Sequence, residues 1–316
     1  MRIYYGYDEA HYTDITNTVF QTCYCGADVF IPNTEEKRNE IFGDPYPEIV
    51  KHICIEDDTG EKHIFNNNII HIRGDLPPPP PPLDQRENLK EWYNTIGKNI
   101  KEPQERFREI HKRICIRYGN IQDEIIEQYM CMAYIDENAK VLEIGGNIGR
   151  TTVIINTVLN DSNNLVTFES EPNIATKLKE NLAMNGYNSH IEAGAISVKP
   201  LIQKINSWNT GPLTTTEIPD GHVLVNTTSY KDIVKKYGLI FDTLVLDCEG
   251  AFYYILRDEP EILDSIKLII IENDFTDYNH KLYVDEQFKK CGFNRIFVVS
   301  GGWGDCHDFF WEVWRR

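Results

Sequence analysis

Residues 141–149 read VLEIGGNIG, a short apolar run carrying Glu143 that passes directly into a glycine-rich turn; an apolar segment over 150–159 follows. The run predicts a buried strand and the segment a helix. A strand, a glycine turn and a helix N-terminus in that order are how a doubly wound α/β domain presents backbone N–H groups to a nucleotide-like ligand. Gly145 and Gly149 are expected to allow a tight turn and a close approach of the backbone to that ligand. A dinucleotide fingerprint of the form G-x-G-x-x-G would need glycine where the chain has Asn147. That disfavours an NAD-dependent dehydrogenase.

Three downstream stretches arrive in the order such a domain requires. LVTFESEP predicts a strand over 165–168 that ends in Glu169, followed by Ser170. Glu169 stands roughly 20 residues past the turn, where a carboxylate can accept from both hydroxyls of a ribose. HIEAGAIS predicts a strand over 191–195, with Ala193, Gly194 and Ala195 small enough to leave room for a flat base. FDTLVLDCEGAFYYIL predicts a strand over 243–246 that delivers Asp247 and Glu249 at its carboxyl end, then a helix over 250–256. Ligands of open α/β sheets sit outside the carboxyl ends of the strands, so these elements are expected to face one crevice.

The spacing that remains at the turn, E-x-G-x-x-x-G, is the pattern of S-adenosylmethionine (SAM) enzymes. From about residue 121 to 314 the chain resembles the FkbM family of SAM-dependent O-methyltransferases, with VLEIGGNIG, FESEP, LVLDCEGA, IIIEND and FFWEVW in family order. Many members carry lysine two residues before the Asp of the D-x-E-G element; this chain has Val245. The resemblance implies a Rossmann-like seven-stranded class I methyltransferase core and methyl transfer from SAM to a hydroxyl of a sugar, nucleotide sugar or glycan. The cofactor-binding residues it implies are Glu143, Gly145, Gly146, Asn147, Gly149, Glu169, Ser170, Ala195 and Asp247. An alternative of another class is a non-catalytic SAM-binding scaffold with a glycan- or protein-binding N-terminal part.

In 316 residues there is room for one sizeable core and a smaller appendage. Residues 77–82 are six consecutive prolines, which predict a polyproline II spacer over 77–83. Before it, short β-type runs at 2–5, 28–31, 52–55, 63–65 and 69–72 predict a β-rich accessory module over 1–76. Its His52, His63 and His71 lack metal-ligand spacing. Beyond the prolines, residues 84–316 form the expected methyltransferase domain, opened by helices over 84–96, 103–117 and 122–134. On the third of these, Glu124, Glu127 and Gln128 either close the crevice or form a solvated face. Strands over 267–272, 295–299 and 309–314 are expected to finish the sheet with an antiparallel pair.

A formal net charge of −17 disfavours nucleic acid and anionic membrane surfaces as partners. No basic segment followed by an apolar run opens the chain, and no stretch reaches the roughly 20 apolar residues of a membrane helix. A cytoplasmic location is expected, and a homo-oligomer is compatible with the sequence. The eight cysteines include no C-x-x-C and are expected to be free, mostly buried thiols.

Methyl transfer to an oxygen is an in-line displacement that needs positioning and a proton acceptor. Asp247 is the first candidate for that acceptor; as alternatives it caps the following helix or touches SAM. Glu249 is the second, with a substrate-binding role equally open, and His280, in an expected polar loop, is the third. Glu272, Asn273 and Asp274 are candidate acceptor-site residues, and Trp208, in SWNTGPL, is a candidate stacking platform for a sugar. Asp247, Glu249 and Asp274 offer oxygen ligands for magnesium, but the spacing does not demand a metal, and none is assigned.

Overall fold

The computed structural model describes residues 2–16, 18–19, 24–25, 28–32, 34–57, 59–66, 70–72, 89–205, 210–215 and 217–316. The proline run and Trp208 lie outside the described residues. The chain divides into two compact units, Met1–Pro79 and Pro80–Arg316.

The first unit holds two antiparallel sheets. One pairs β1 (Arg2–Gly6) with β2 (Tyr12–Asp14) and with β5 (His52–Glu56), which also pairs β6 (Lys62–Phe65). The other places β4 (Asp28–Ile31) between β3 (Tyr24–Cys25) and β7 (Ile70–Ile72). A helix, α1 (Glu35–Phe42), starts where the Thr34 hydroxyl accepts from Lys37 N. The core is built largely from isoleucine, with Ile3, Ile31, Ile53 and Tyr5 fully buried. Buried Arg38 donates from Nε to the Pro32 carbonyl, and buried Lys51 pairs with Glu35 and Asp44.

The second unit opens with α2 (Leu89–Thr95), α3 (Pro103–His111) and α4 (Ile125–Tyr134). Five parallel strands follow: β8 (Val141–Ile144), β9 (Leu165–Glu169), β10 (His190–Ala193), β16 (Thr243–Leu246) and β17 (Leu268–Glu272). Between β10 and β16 lie β11 (Ala195–Ile196), β12 (Leu201–Lys204), β13 (Thr210–Pro212), β14 (His222–Val225) and β15 (Thr227–Thr228). Of these, β12 pairs with β13 and β14 in a separate three-stranded antiparallel sheet. The chain closes with β18 (Asn294–Val299) and β19 (Trp311–Arg315). The seven-stranded sheet runs β10-β9-β8-β16-β17-β19-β18. This is an open, mixed sheet of Rossmann-like α/β architecture. Only β19 runs against the other six, because β18 and β17 each pair with it antiparallel.

Connecting helices are α5 (Arg150–Val158), α6 (Pro172–Met184), α7 (Tyr230–Tyr237), α8 (Phe252–Asp258) and α9 (Tyr278–Lys290). Successive strand residues point to opposite faces. One face joins Leu142, Val166, Leu244, Ile269 and Trp314 to Phe252 of α8 and Phe288 of α9 in a single apolar cluster. The other face turns Glu143, Thr167, Val245 and Glu272 toward the side where α4 packs on α5 and β17. Val245, where many FkbM members carry lysine, is buried there.

The described cysteines Cys54, Cys115, Cys131, Cys248, Cys291 and Cys306 are all free. Among the described residues no helix is long and apolar enough to cross a membrane.

Candidate active site

At the carboxyl ends of β8, β9, β16 and β17 the second unit opens into a cavity of about 1040 Å³. Its wall contains Gly145, Asn147, Glu169, Ser170, Ala195, Asp247, Glu249 and Glu272 from the expected set. The other expected residues that are described stand elsewhere, each for a local reason.

Glu143 does not line the cavity. It is buried beneath the turn, where its carboxyl accepts from the Thr167 hydroxyl at 2.7 Å and burial pushes its pKa up to about 7. Gly145 adopts φ +95°, and a Cβ there would lie 1.5 Å from the Asp247 carbonyl oxygen. Its missing side chain therefore admits the end of β16, not a ligand. Gly146 and Gly149 are likewise filled from behind, by Thr167 and Leu178. Gly194 lines the cavity, but a Cβ on it would meet the Asn226 carbonyl at 2.5 Å. Asn147 holds φ +45°, a left-handed conformation that asparagine tolerates better than most residues. It thus supplies the backbone turn of the glycine it replaces.

Glu169 receives two backbone donors, Asn147 N on Oε2 and Glu171 N on Oε1, each at 2.9 Å. An ionised carboxylate has about four lone-pair sites, so one on each oxygen stays available to a vicinal diol. Burial raises its pKa, and the backbone donors oppose that rise.

Asp247 sits at the end of β16, with its backbone N on the Ile144 carbonyl. It caps no helix, since α8 begins after Ala251 without a side-chain cap. Burial, followed by the charges of Glu272, Glu124, Asp274 and Glu249, drives the Asp247 carboxyl well above the usual carboxylate range. Glu249 has φ +54°, a strained left-handed backbone for a residue with a Cβ, and its side chain reaches the cavity wall. Burial and Glu272 raise its pKa as well.

Asp274 is fixed by Gly250 N, which donates to its Oδ1 at 2.7 Å, while Oδ2 is buried without a partner. Burial, Glu249 and Glu272 push it up to about 8. Asn273 is a scaffold residue: its N donates to the Phe310 carbonyl and its Nδ2 to the Phe309 carbonyl and to Glu312. His280 is not in a loop. The Asp277 side chain accepts from Asn279 N and starts α9, so His280 falls in its first turn. Its ring stacks on Tyr253 at 3.6 Å and it is absent from the cavity wall. Trp208 lies outside the described residues.

Of the three helix residues expected either to close the crevice or to be solvated, one reaches the cavity wall. Glu124, at the αL start of α4, pairs with Arg150 at 2.6 Å, ties the helix to the glycine turn and lines the cavity. Glu127 is buried rather than solvated, and Gln128, also buried, donates to the Ile121 and Asp123 carbonyls. The indole N–H of Trp311 donates to both Glu127 Oε1 and Glu272 Oε2, joining α4 to β17. The β12 and β13 segments add Leu201, Gln203 and Thr210 to the opposite wall, with Lys199, Lys177 and Arg257 around it.

No protein-family model and no curated protein matches the sequence. The comparisons thus give the FkbM resemblance no sequence-level support. Solved structures similar to the chain include ribosomal protein L11 methylase from Lactobacillus delbrueckii subsp. bulgaricus, at 12% identity over 64% of this chain and 81% of that one, TM-score 0.39. An O-methyltransferase from Bacillus cereus in complex with S-adenosylhomocysteine (SAH) matches at 13% identity over 74% and 100%, TM-score 0.37. An rRNA methylase from Streptococcus thermophilus matches at 8% identity over 64% and 99%, TM-score 0.38.

Proposed function

We propose that this chain is a SAM-dependent O-methyltransferase whose acceptor is a hydroxyl of a sugar, nucleotide sugar or glycan. The observation that carries the reading is that Glu169, Asp247 and the turn residues Gly145 and Asn147 line one cavity. Glu169 retains a lone pair on each oxygen for a ribose diol, and Ser170 and Ala195 extend that wall for an adenine. The sheet order and the cavity's position at the strand ends support the same reading.

SAM would supply an electrophilic methyl carbon on a sulfonium, which leaves as a neutral thioether. The protein's part is to hold the acceptor oxygen in line with that carbon and to take its proton. Asp247 is the proton acceptor in this scheme. Burial and its neighbours' charges raise its pKa well above the ordinary carboxylate range. A positive charge held close to Asp247 would favour its ionised form and so make it available as the base. Glu249 and Glu272 offer acceptors to the hydroxyls of a polyol.

Thermal shift with SAM, SAH and NAD tests the first half of this reading: stabilisation by SAM and SAH but not NAD is expected. Release of SAH in the presence of nucleotide sugars and free glycans tests the second. SAM binding without SAH release on any sugar would leave a binding scaffold in place of an enzyme.

A further inference from the structure

The first unit carries an aromatic surface that methyl transfer does not use. After β1 the chain turns at Gly6, where a Cβ would lie 2.0 Å from the His11 carbonyl oxygen. Just past this close turn the rings of Tyr7 and His11 stack, with centroids 4.5 Å apart and planes 17° from parallel. Tyr46, from the loop between α1 and β5, meets both rings nearly perpendicularly, at 5.2 and 5.5 Å. One residue on from His11, Tyr12 stacks with Tyr4 at 5.8 Å, on the sheet face opposite the buried Ile3, Tyr5 and Ile53. All five rings are part exposed.

Both sides of the cluster are fixed by their own chain. Asp8 Oδ1 accepts from Ala10 N at 2.9 Å and lies 2.6 Å from His11 Nδ1, which holds the imidazole. Lys51 is 2% exposed, and its ammonium donates to the Tyr46 and Ile49 carbonyls while pairing with Asp44 and Glu35. Burying an ammonium costs desolvation free energy, and here it fixes a surface loop whose one aromatic side chain is Tyr46. In the same loop Glu48 holds φ +66°, a strained left-handed backbone for a residue with a Cβ. Rings held in place in advance lose little freedom when a ligand settles on them.

We propose that Tyr7, His11 and Tyr46, with Tyr4 and Tyr12 beside them, form a binding platform for a neutral glycan. A pyranose has faces of C–H bonds and a rim of hydroxyls, so it buries a face on flat rings while its hydroxyls stay free to donate. The fringe supplies acceptors: Asp8, Asp44 and Glu48 are exposed and flank the rings in sequence. Negative charge there repels phosphate and sulfate groups. It also disfavours a proline-rich peptide, which stacks on aromatic surfaces too but offers a carboxylate few donors. The platform is independent of the methyl-transfer reading; only its use rests on that reading, since a glycan held by one unit stays at raised concentration for the unit tethered to it.

The test is binding of the full chain, without SAM, to an array of neutral, uronic-acid-containing and sulfated oligosaccharides, with calorimetry on the strongest hit and on a hexaproline peptide. Binding confined to neutral glycans is expected, weakened at least about tenfold in Tyr46→Ala and in Tyr7→Ala and retained in Tyr46→Phe. Circular dichroism establishes that each variant is folded; if Tyr46→Ala is not, Tyr7→Ala decides. No bound glycan overturns the proposal. So does a preference for acidic glycans, capture of hexaproline instead, or neutral-glycan binding that survives the alanine variants. Because SAM is absent from the assay, failure here leaves the methyl-transfer reading intact, and failure of SAM binding leaves the platform intact.

Discussion

The two faces of the central sheet each bury acidic groups, and they treat them in opposite ways. On one face Glu312 is fully buried, yet Lys281, Arg295, Asn273 and the Trp314 indole all donate to it. Lys281 is itself buried and also holds Asp285. On the other side Glu127, Glu272, Asp247 and Asp274 meet around one shared indole N–H and the Gly250 N–H, with no cation among them in the described residues. Trp311 and Glu312 are neighbours in β19, so one strand serves both arrangements through its alternation. A buried charge with its partners in place is scaffold. Buried carboxyls left without partners destabilise the protein by themselves and are explained by what they bind.

Asp247→Asn should break the comparison on the uncompensated face. It keeps the side-chain volume and removes a carboxyl that has no cationic partner among the described residues, so stability should hold or rise. Turnover on the true acceptor at saturating SAM should fall about 10²–10⁴-fold. Retention of most turnover would remove the base assignment and leave Glu249 as the next residue to examine. The mirror experiment is Lys281→Met, which strips Glu312 of its buried cation. Urea unfolding should show a loss of about 1.5–3 kcal/mol, since Arg295 still pairs with Glu312, with SAH affinity little changed. A stable Lys281→Met variant would mean that the two faces are not distinguished by compensation.

Glu169→Ala should cost a similar amount, about 1.5–3 kcal/mol of SAM affinity by calorimetry, because two charge-assisted acceptors for a diol are lost. Unchanged affinity would move the ribose elsewhere. A pH effect on stability is expected from Glu143, on the uncompensated face. Its pKa is about 7 folded, against 4.5 for an isolated glutamate, so between these values the unfolded chain releases a proton that the folded chain retains. Its contribution is complete below about pH 4.5 and is lost as the pH rises through 7. Stability should therefore fall across that window, and Glu143→Gln should flatten the slope in melts taken between the two values. For the proline run the expected effect is none: a chain beginning at Leu83 should remain soluble and bind SAH as the full chain does.

The sequence is legible where the chemistry is local. The strand over 243–246 and the positions of Glu169, Asp247 and Glu249 follow from apolar runs that end in acid, and the strands and cavity wall place them as expected. It is illegible where pairing is distant. Glu127 looks like one charge among several on a helix; its burial is set by Trp311, 184 residues on. Gly145 looks like a ligand cradle, whereas the atom that claims its space belongs to residue 247. The polar residues around His280 suggest a loop, and a single Asx cap at Asp277 is enough to make that stretch helical. In the first unit β2 and α1 escape a reading by pattern, since three residues of strand and a helix of low apolar content leave no periodic signal.

The place of β19 has a consequence for how the protein is made. It is the last strand in the chain, yet it lies between β17 and β18. While the chain leaves the ribosome, both of those strands expose an unpaired edge until residues 311–315 have emerged. The same strand brings Trp311 to Glu127 and Glu272. Until β19 inserts, the chain therefore both has an open sheet and lacks the indole link between Glu127 and Glu272.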